Sequence, residues 1–480
     1  MGEDPDASRP RWGGTDRDRG AESSGTLVLS EEEVHVGDTI TLKGRNFPSD
    51  TRLDLVWNSF EGDWGVLQAK EVVGPQFRPR TDLLETVTVD ESGAFDWEFE
   101  VPQDYGGEHT IEVRDETEDT LATVTLAIHP WFDIDRREAT SGEWFRITGH
   151  GLGPNVVHND YQVTWDNGYV GFMTGVKNRG TATADIRAVG PVGEHVIQVW
   201  RNYRGTPQIQ NNTQSPYGAV GGDRASSWVV EVTERETEPH RCWVDDLFDE
   251  EPIASHFPDV SEDTDASLQI TPTSGQVGTE ATVTGRNFPP HTQVDLVWYD
   301  HTGSYVEGIP ISLTPRPGLL PTVVSDAEGS IEAEITIPEA TGATRPIVAM
   351  VEGPSVAVTG FVLQPSIETF SPREGPVGTE ITIELGGLGW TGYENNYHVV
   401  YDNRPLGYIS GTMGDDPGEP AKTQIKATGE PGYHYIDIYP GIFEMQEDYP
   451  DFELKPHLSY LDNHPVRPLP ALHLAFEITE

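Results

Sequence analysis

The chain repeats itself, and that repeat limits its fold more than any other feature of the sequence. Gly44-Arg45-Asn46-Phe47-Pro48 returns as Gly285-Arg286-Asn287-Phe288-Pro289. Each is followed by Leu-Val-Trp, at Leu55-Val56-Trp57 and Leu296-Val297-Trp298. A different stretch also occurs twice: Gly151-Leu152-Gly153 with Asp166-Asn167, then Gly387-Leu388-Gly389 with Asp402-Asn403. Two unlike units therefore alternate as A1-B1-A2-B2, which excludes one large single-core fold. The repeats place A1 at 26–128, B1 at 129–235, A2 at 267–364 and B2 at 365–480, with a flexible polar tail at 1–25 and an acidic linker at 236–266.

Within each unit the apolar residues alternate with polar ones, the period of a strand with one buried face. Ile40 and Leu42 alternate with Thr39, Thr41 and Lys43, and Leu53, Leu55 and Trp57 share one face, as do Val294, Leu296 and Trp298. The B units carry Tyr161, Val163, Trp165 and Tyr397, Val399, Tyr401, and close on Trp228, Val230, Val232 and on Leu472, Leu474, Phe476, Ile478. Glycine and proline clusters separate these runs, and no segment carries a convincing apolar helical period. Units of about 100 residues with this pattern predict an all-β chain of four tandem immunoglobulin-like β-sandwiches, arranged as a duplicated two-domain unit.

Composition sets the surface. Of 480 residues, 80 are Asp or Glu against 31 Lys or Arg, giving a net charge of -49, while 35% hydrophobic content is too high for a disordered acidic chain. Such a surface repels phosphate backbones, so nucleic acid is an unsuitable partner. Only six of the basic residues are lysine (Lys43, Lys70, Lys177, Lys422, Lys426, Lys455), and the rest are arginine. High acid with scarce lysine resembles the surface chemistry of proteins from salt-loving microbes. Repulsion is screened within about 3 Å at 1 M salt but reaches about 30 Å at 0.01 M, so the chain is expected to lose stability in dilute buffer. One cysteine, Cys242, excludes an intramolecular disulfide framework. No apolar run is long enough to cross a membrane as a helix, and the N-terminal residues lack the apolar core of a secretory signal, which is expected to have been removed if the chain is exported by that route.

The segment from Ile270 through Ser274-Gly275, Val277-Gly278-Thr279 and Gly285 to Pro289 resembles the opening of IPT/TIG-type immunoglobulin-like domains, as does Phe370 to Ile383. A1 keeps Val36-Gly37-Asp38-Thr39 and the Gly44 to Pro48 segment, and B1 keeps Ser141-Gly142 and the Gly149 to Gly151 turn. The motif consists of turn glycines and strand alternation, so it specifies a fold and no activity. The resemblance implies strings of domains that adhere, space or assemble outside the cell.

Trp57, Trp165 and Trp298 are in phase with apolar strand neighbours and read as core, whereas Trp64, Trp131 and Trp390 read as off-strand aromatics. The turns Asp90-Glu91-Ser92-Gly93 and Asp326-Ala327-Glu328-Gly329 supply oxygen ligands in the composition a calcium site uses, so Asp90, Glu91, Asp326 and Glu328 are candidate calcium ligands, beside the plainer reading of hairpin turns. Asp245, Asp246, Asp249, Glu250 and Glu251 read as a solvated run in the linker, where Trp243, Val244, Leu247 and Phe248 are an apolar island expected to dock on a neighbouring unit. In each B unit a long excursion, 201–226 and 440–469, precedes the last strand, where a variable domain carries a recognition loop. Tyr203, Arg204, Gln208, Asn211 and Tyr217 in the first, and Phe443, Tyr449, Phe452, His457 and Tyr460 in the second, are candidate ligand-binding residues, and Asn211 opens the one glycosylation sequon. An equal alternative is that the excursions seal a sheet edge or a domain junction.

No nucleophile elbow, zincin or phosphate-loop motif is present. The expected role is a non-enzymatic secreted or surface-exposed structural or adhesion protein, a stalk or subunit of an extracellular assembly. Its expected partners are protein or glycan at a cell or particle surface, with self-assembly. A virion fibre or decoration protein, and the carbohydrate-binding accessory part of a secreted hydrolase, are the readings left beside it.

Overall fold

In each of the four units the opening strand breaks in two and changes sheets. In A1, Thr26–Leu29 lies antiparallel to Thr39–Arg45, whereas Glu33–Val34 lies parallel to Thr120–Ile128 of the opposite sheet. Glu138–Thr140 lies parallel to Arg224–Thr233 in B1, Ser274–Gly275 to Ser355–Leu363 in A2, and Glu374–Gly375 to Leu472–Ile478 in B2. The chain then turns at Gly37, Gly142, Gly278 and Gly378, whose φ values of 90°, 86°, 81° and 87° belong to the left-handed region that favours glycine. This turn is why the same glycines recur through all four units of the sequence. The computed structural model describes residues 25–67, 71–154, 159–201, 224–246, 250–261, 264–303, 312–411, 419–442 and 456–480.

Each unit sets a three-stranded sheet against a larger one. In A1 the order is Thr26–Leu29, Thr39–Arg45, Phe95–Glu100 against Glu33–Val34, Thr120–Ile128, Gly107–Arg114, Arg52–Leu67, Glu71–Thr88. The other three units follow the same plan. Four immunoglobulin-like β-sandwiches in tandem are thus the fold, and the alternation read from sequence sets the cores. Leu53, Leu55 and Trp57 are buried in A1 with Ile40 and Leu42, and Val294, Leu296 and Trp298 in A2.

The units are not beads on a string. The large sheet of B2 buries both faces: Ile436, Ile438, Leu472, Leu474 and Phe476 fill its own core, while Val400, Tyr435, Tyr439, Ala471 and Ala475 pack with the core residues of B1. Period-two logic expects polar residues on that second face, and small or aromatic residues there are what let a second sandwich lie against it. The segment read as a linker is built into both neighbours. Cys242–Val244 pairs antiparallel with Leu472–Ile478 as an added edge strand of B2, and Ile253 N–H donates to Thr344 Oγ1 of A2 at 2.9 Å. Trp243 therefore docks as expected of the island, while Leu247 and Phe248 lie outside the described residues.

Candidate functional site

The two A-B junctions are copies of each other. Gly106 N–H donates to Leu152 O at 3.1 Å, and Gly342 N–H to Leu388 O at 2.6 Å. A methyl group at either glycine would lie 2.0 Å from Gly151 O or 1.9 Å from Gly387 O, so backbone meets backbone and only glycine fits. Each junction also buries a carboxylate, drawn from different positions in the two halves. Asp104 accepts from Trp57 Nε1 (2.6 Å), Ser59 Oγ (2.6 Å) and Arg179 (3.1 Å). Asp300 accepts from Arg345 (3.0 Å) and Thr341 Oγ1 (3.1 Å), and burial lowers the Arg345 guanidinium to about 10 in spite of that pairing.

The junction between B1 and B2 holds a closed set of charges. Arg187, on Ala182–Arg187 of B1, donates through Nε to both oxygens of Asp437 of B2 at 3.1 and 2.9 Å, with Nη2 at 2.5 Å, and through Nη1 to Gly142 O at 2.9 Å. The guanidinium lies 3.8 Å over the Trp144 ring, and the rings of Trp243 and Tyr435 also flank it. His473 lies between Asp437 at 2.7 Å and Asp245 at 3.0 Å. Burial alone would push His473 down, but hydrogen bonds to these two carboxylates raise it, although Arg187 Nη2 lies 3.1 Å from its Nδ1 and opposes the rise. Burial alone would push Asp437 up, but Arg187 and His473 hold it below the usual carboxylate range. Arg187 and His473 thus meet two carboxylates. Removing one member would leave a buried charge unpaired, at a cost of about 3–5 kcal/mol.

The solvated run predicted in the linker is corrected here in two members. Asp245 also accepts from Tyr460 Oη at 2.7 Å, and Glu250 pairs with Arg467, whose Nε donates to Glu394 Oε1 at 2.7 Å. Partners distant in sequence draw these carboxylates inward, whereas Asp246 and Glu251 stay exposed and Asp249 lies outside the described residues.

The C-terminal excursion, where described, enters a third junction. His457 and Tyr460 are buried, at 0% and 7% exposure, so they face the protein interior and not a partner. His457 stacks on Phe172 of B1, with its Nδ1 3.3 Å from Nδ1 of His464, and His464 Nε2 donates to Tyr393 O at 2.5 Å. Ser459 Oγ donates to Thr174 O at 2.9 Å and accepts from Thr174 N–H. From A1 comes a hairpin, Arg52–Leu67 with Glu71–Thr88, that is longer than the sandwich: Gly107–Arg114 pairs with it only at Asp54 to Trp57. Its outer part reaches the excursion, where Trp64 Nε1 donates to Asn463 O at 2.7 Å, and its Gly62 N–H donates to Tyr105 Oη at 2.9 Å. Trp64, Val72, Phe172, Val176, Tyr393 and Ile442 form a small separate core shared by A1, B1 and B2.

Between the hairpin and B1 lies a cleft of about 280 Å³, lined by Glu61, Asp63, Trp64, Gln76, Arg78 and Lys177. Lys177 Nζ donates to His464 O at 3.1 Å and Val466 O at 3.4 Å, and burial lowers its pKa. Val466 itself has φ of 60°, an outlier for a β-branched residue. Sequence reading missed this site. No local signal marked it: Arg52–Leu67 carries Asn58, Gly62, Asp63 and Gly65, residues common in turns, and yet runs as one strand.

The other candidates fall as follows. Asp90 Oδ1 accepts from Ser92 N–H, Ser92 Oγ and Ala94 N–H at 2.8, 2.6 and 3.0 Å, and Asp326 Oδ1 from Glu328 N–H and Ser330 N–H at 3.0 and 2.7 Å. Both aspartates thus take the self-bonded hairpin-turn geometry, with Glu91 and Glu328 exposed beside them. Among the described residues no group of three or more His, Cys, Asp or Glu is placed to hold a metal ion. Trp64 and Trp131 lie within strands, and Trp390 is buried against His301 at 3.8 Å. Cys242 is half-buried and free. Tyr203, Arg204, Gln208, Asn211, Tyr217, Phe443, Tyr449 and Phe452 lie outside the described residues. No described helix is long and apolar enough to cross a membrane.

No protein-family model and no curated protein sequence matches the chain. Among solved structures it is similar to invasin, a bacterial integrin-binding protein, at 9% identity over 95% of this chain and 79% of that one, with a TM-score of 0.20. A membrane-anchored protein from Corynebacterium diphtheriae is 10% identical over 71% of this chain and 91% of that one, with a TM-score of 0.18. Murine CEACAM1b is 12% identical over 44% of this chain and all of that one (100%), with a TM-score of 0.13. These scores are too low to carry an assignment, and the fold rests on the sheet topology itself.

Proposed function

We propose that the chain is a non-enzymatic structural or adhesion protein, secreted or displayed on a surface, that acts as a rigid subunit of an extracellular assembly. The observation that carries this reading is the B1-B2 junction, where Arg187, Asp437, His473 and Asp245 lock two sandwiches side by side. A flexible tether has no use for such a lock, but a block that holds contact surfaces at fixed separation does. The same observation favours a folded-back block over an extended stalk. Within the immunoglobulin-like class, the turn glycines and Ser274-Gly275 support the IPT/TIG type. The acidic, lysine-poor surface supports work in high salt.

The test is immunogold labelling of intact source cells and shed particles with antibodies raised against the folded chain. Label on the outer face is the expected result. Label confined to the cytoplasm of sectioned cells would overturn it.

A further inference from the structure

We infer that the cleft between the A1 hairpin and Lys177 is a binding site for one neutral sugar unit of a glycan. Glu61 lies directly opposite Arg78 across the two strands, and Asp63 opposite Gln76, so all four share one face of the hairpin. Directly opposed Glu and Arg ordinarily close on each other. Here Glu61 and Arg78 form no ion pair with each other among the described residues, and both border the cleft. Gln76 likewise makes no side-chain hydrogen bond there. Lys177 spends two of its three N–H groups on His464 O and Val466 O, which leaves one for a ligand.

The lining therefore offers two carboxylates that only accept, two cations that only donate, and an amide that does both. A hydroxyl donates and accepts, so a ring carrying several hydroxyls is the ligand that can use every group at once. An anion would meet Glu61 and Asp63 inside a protein of net charge -49, and a cation would meet Arg78 and Lys177. The volume, just below the usual range for small-molecule pockets, suits one ring and not a long chain. A position where three units meet is also where such pockets form.

This inference rests on the reading of the chain as a recognition protein but is tested apart from it. The full chain is titrated with a panel of neutral and anionic oligosaccharides in 2 M NaCl, with saturation-transfer NMR and calorimetry as readouts. Expected is binding of at least one neutral saccharide, weakened about tenfold or more by Glu61→Ala and by Gln76→Ala, and unchanged by Glu328→Ala on a distant turn. The Glu61 and Gln76 side chains are exposed and make no hydrogen bond among the described residues, so these variants keep the fold. Loss of helical or strand signal is not expected in either, and their melting curves serve as the check. No binding of any neutral saccharide, binding of anionic sugars alone, or equal affinity in all three variants overturns the site. Surface labelling that fails while sugar binding succeeds would remove the proposed location and leave the site standing.

Discussion

Histidine carries opposite roles at two of the junctions, and the difference sets how the molecule responds to acid. His457 and His464 are buried in contact with each other, and burial pushes His457 well down and His464 to about 3, with Lys177 and Arg467 opposing charge on His464 further. His398, on the outer B2 face, is lowered by burial to about 4. Unfolded, each takes a proton near pH 6.5, so the unfolded chain binds more protons below that value and stability falls as pH falls. His473 runs the other way: its pairing contributes fully below 6.5 and is lost as pH rises through its raised folded value. The melting temperature at fixed high salt should therefore fall between pH 7 and pH 4. His464→Gln, which can still donate to Tyr393 O, should show a shallower fall over that window. Identical slopes in the two proteins would show that this histidine does not titrate on unfolding.

At the scale of elements, the A-B junction is the most demanding contact in each half. Gly106→Ala or Gly342→Ala should destabilise by about 1–3 kcal/mol or more, since the obstructing atom is a backbone carbonyl that cannot turn aside. Small-angle scattering should show the variant expanding as A and B part. An unchanged profile and melt would mean that the two backbones can separate at no cost. The repeated Gly-Leu-Gly was visible in the sequence, and so were the turns at Gly37, Gly142, Gly278 and Gly378, because each is a local requirement of one backbone conformation. The strand alternation that defined the cores was legible for the same reason. What was not legible was anything depending on a partner far along the chain. Asp245 reads as one more solvated acid until His473 and Tyr460 are placed beside it. Val400, Tyr435 and Tyr439 read as ordinary strand residues until B1 covers them. The cleft was hidden because Lys177 and Glu61 belong to different units, and no periodicity links them.

For the whole molecule, the surface charge and the junction charges behave differently. Arg187 and Asp437 are each 1% exposed and little affected by salt, whereas the exposed acids repel through water and are strongly screened. Transfer from 2 M to 0.02 M NaCl should lower the melting temperature by several degrees through the surface alone. A melting temperature equal at both salts would remove the high-salt reading while leaving the fold and the junctions untouched. The added strand Cys242–Val244 has a consequence of its own, which concerns the order of events during synthesis. The strand it pairs with, Leu472–Ile478, is made only after A1, B1 and A2, and so are His473 and the excursion that meets the A1 hairpin. A1, B1 and A2 can each collapse while the chain is still emerging. The fastening of the two halves can be completed only once Leu472–Ile478 has emerged, so a chain stopped before Leu472 would carry folded A1, B1 and A2 beside an incomplete B2, without the added strand or His473.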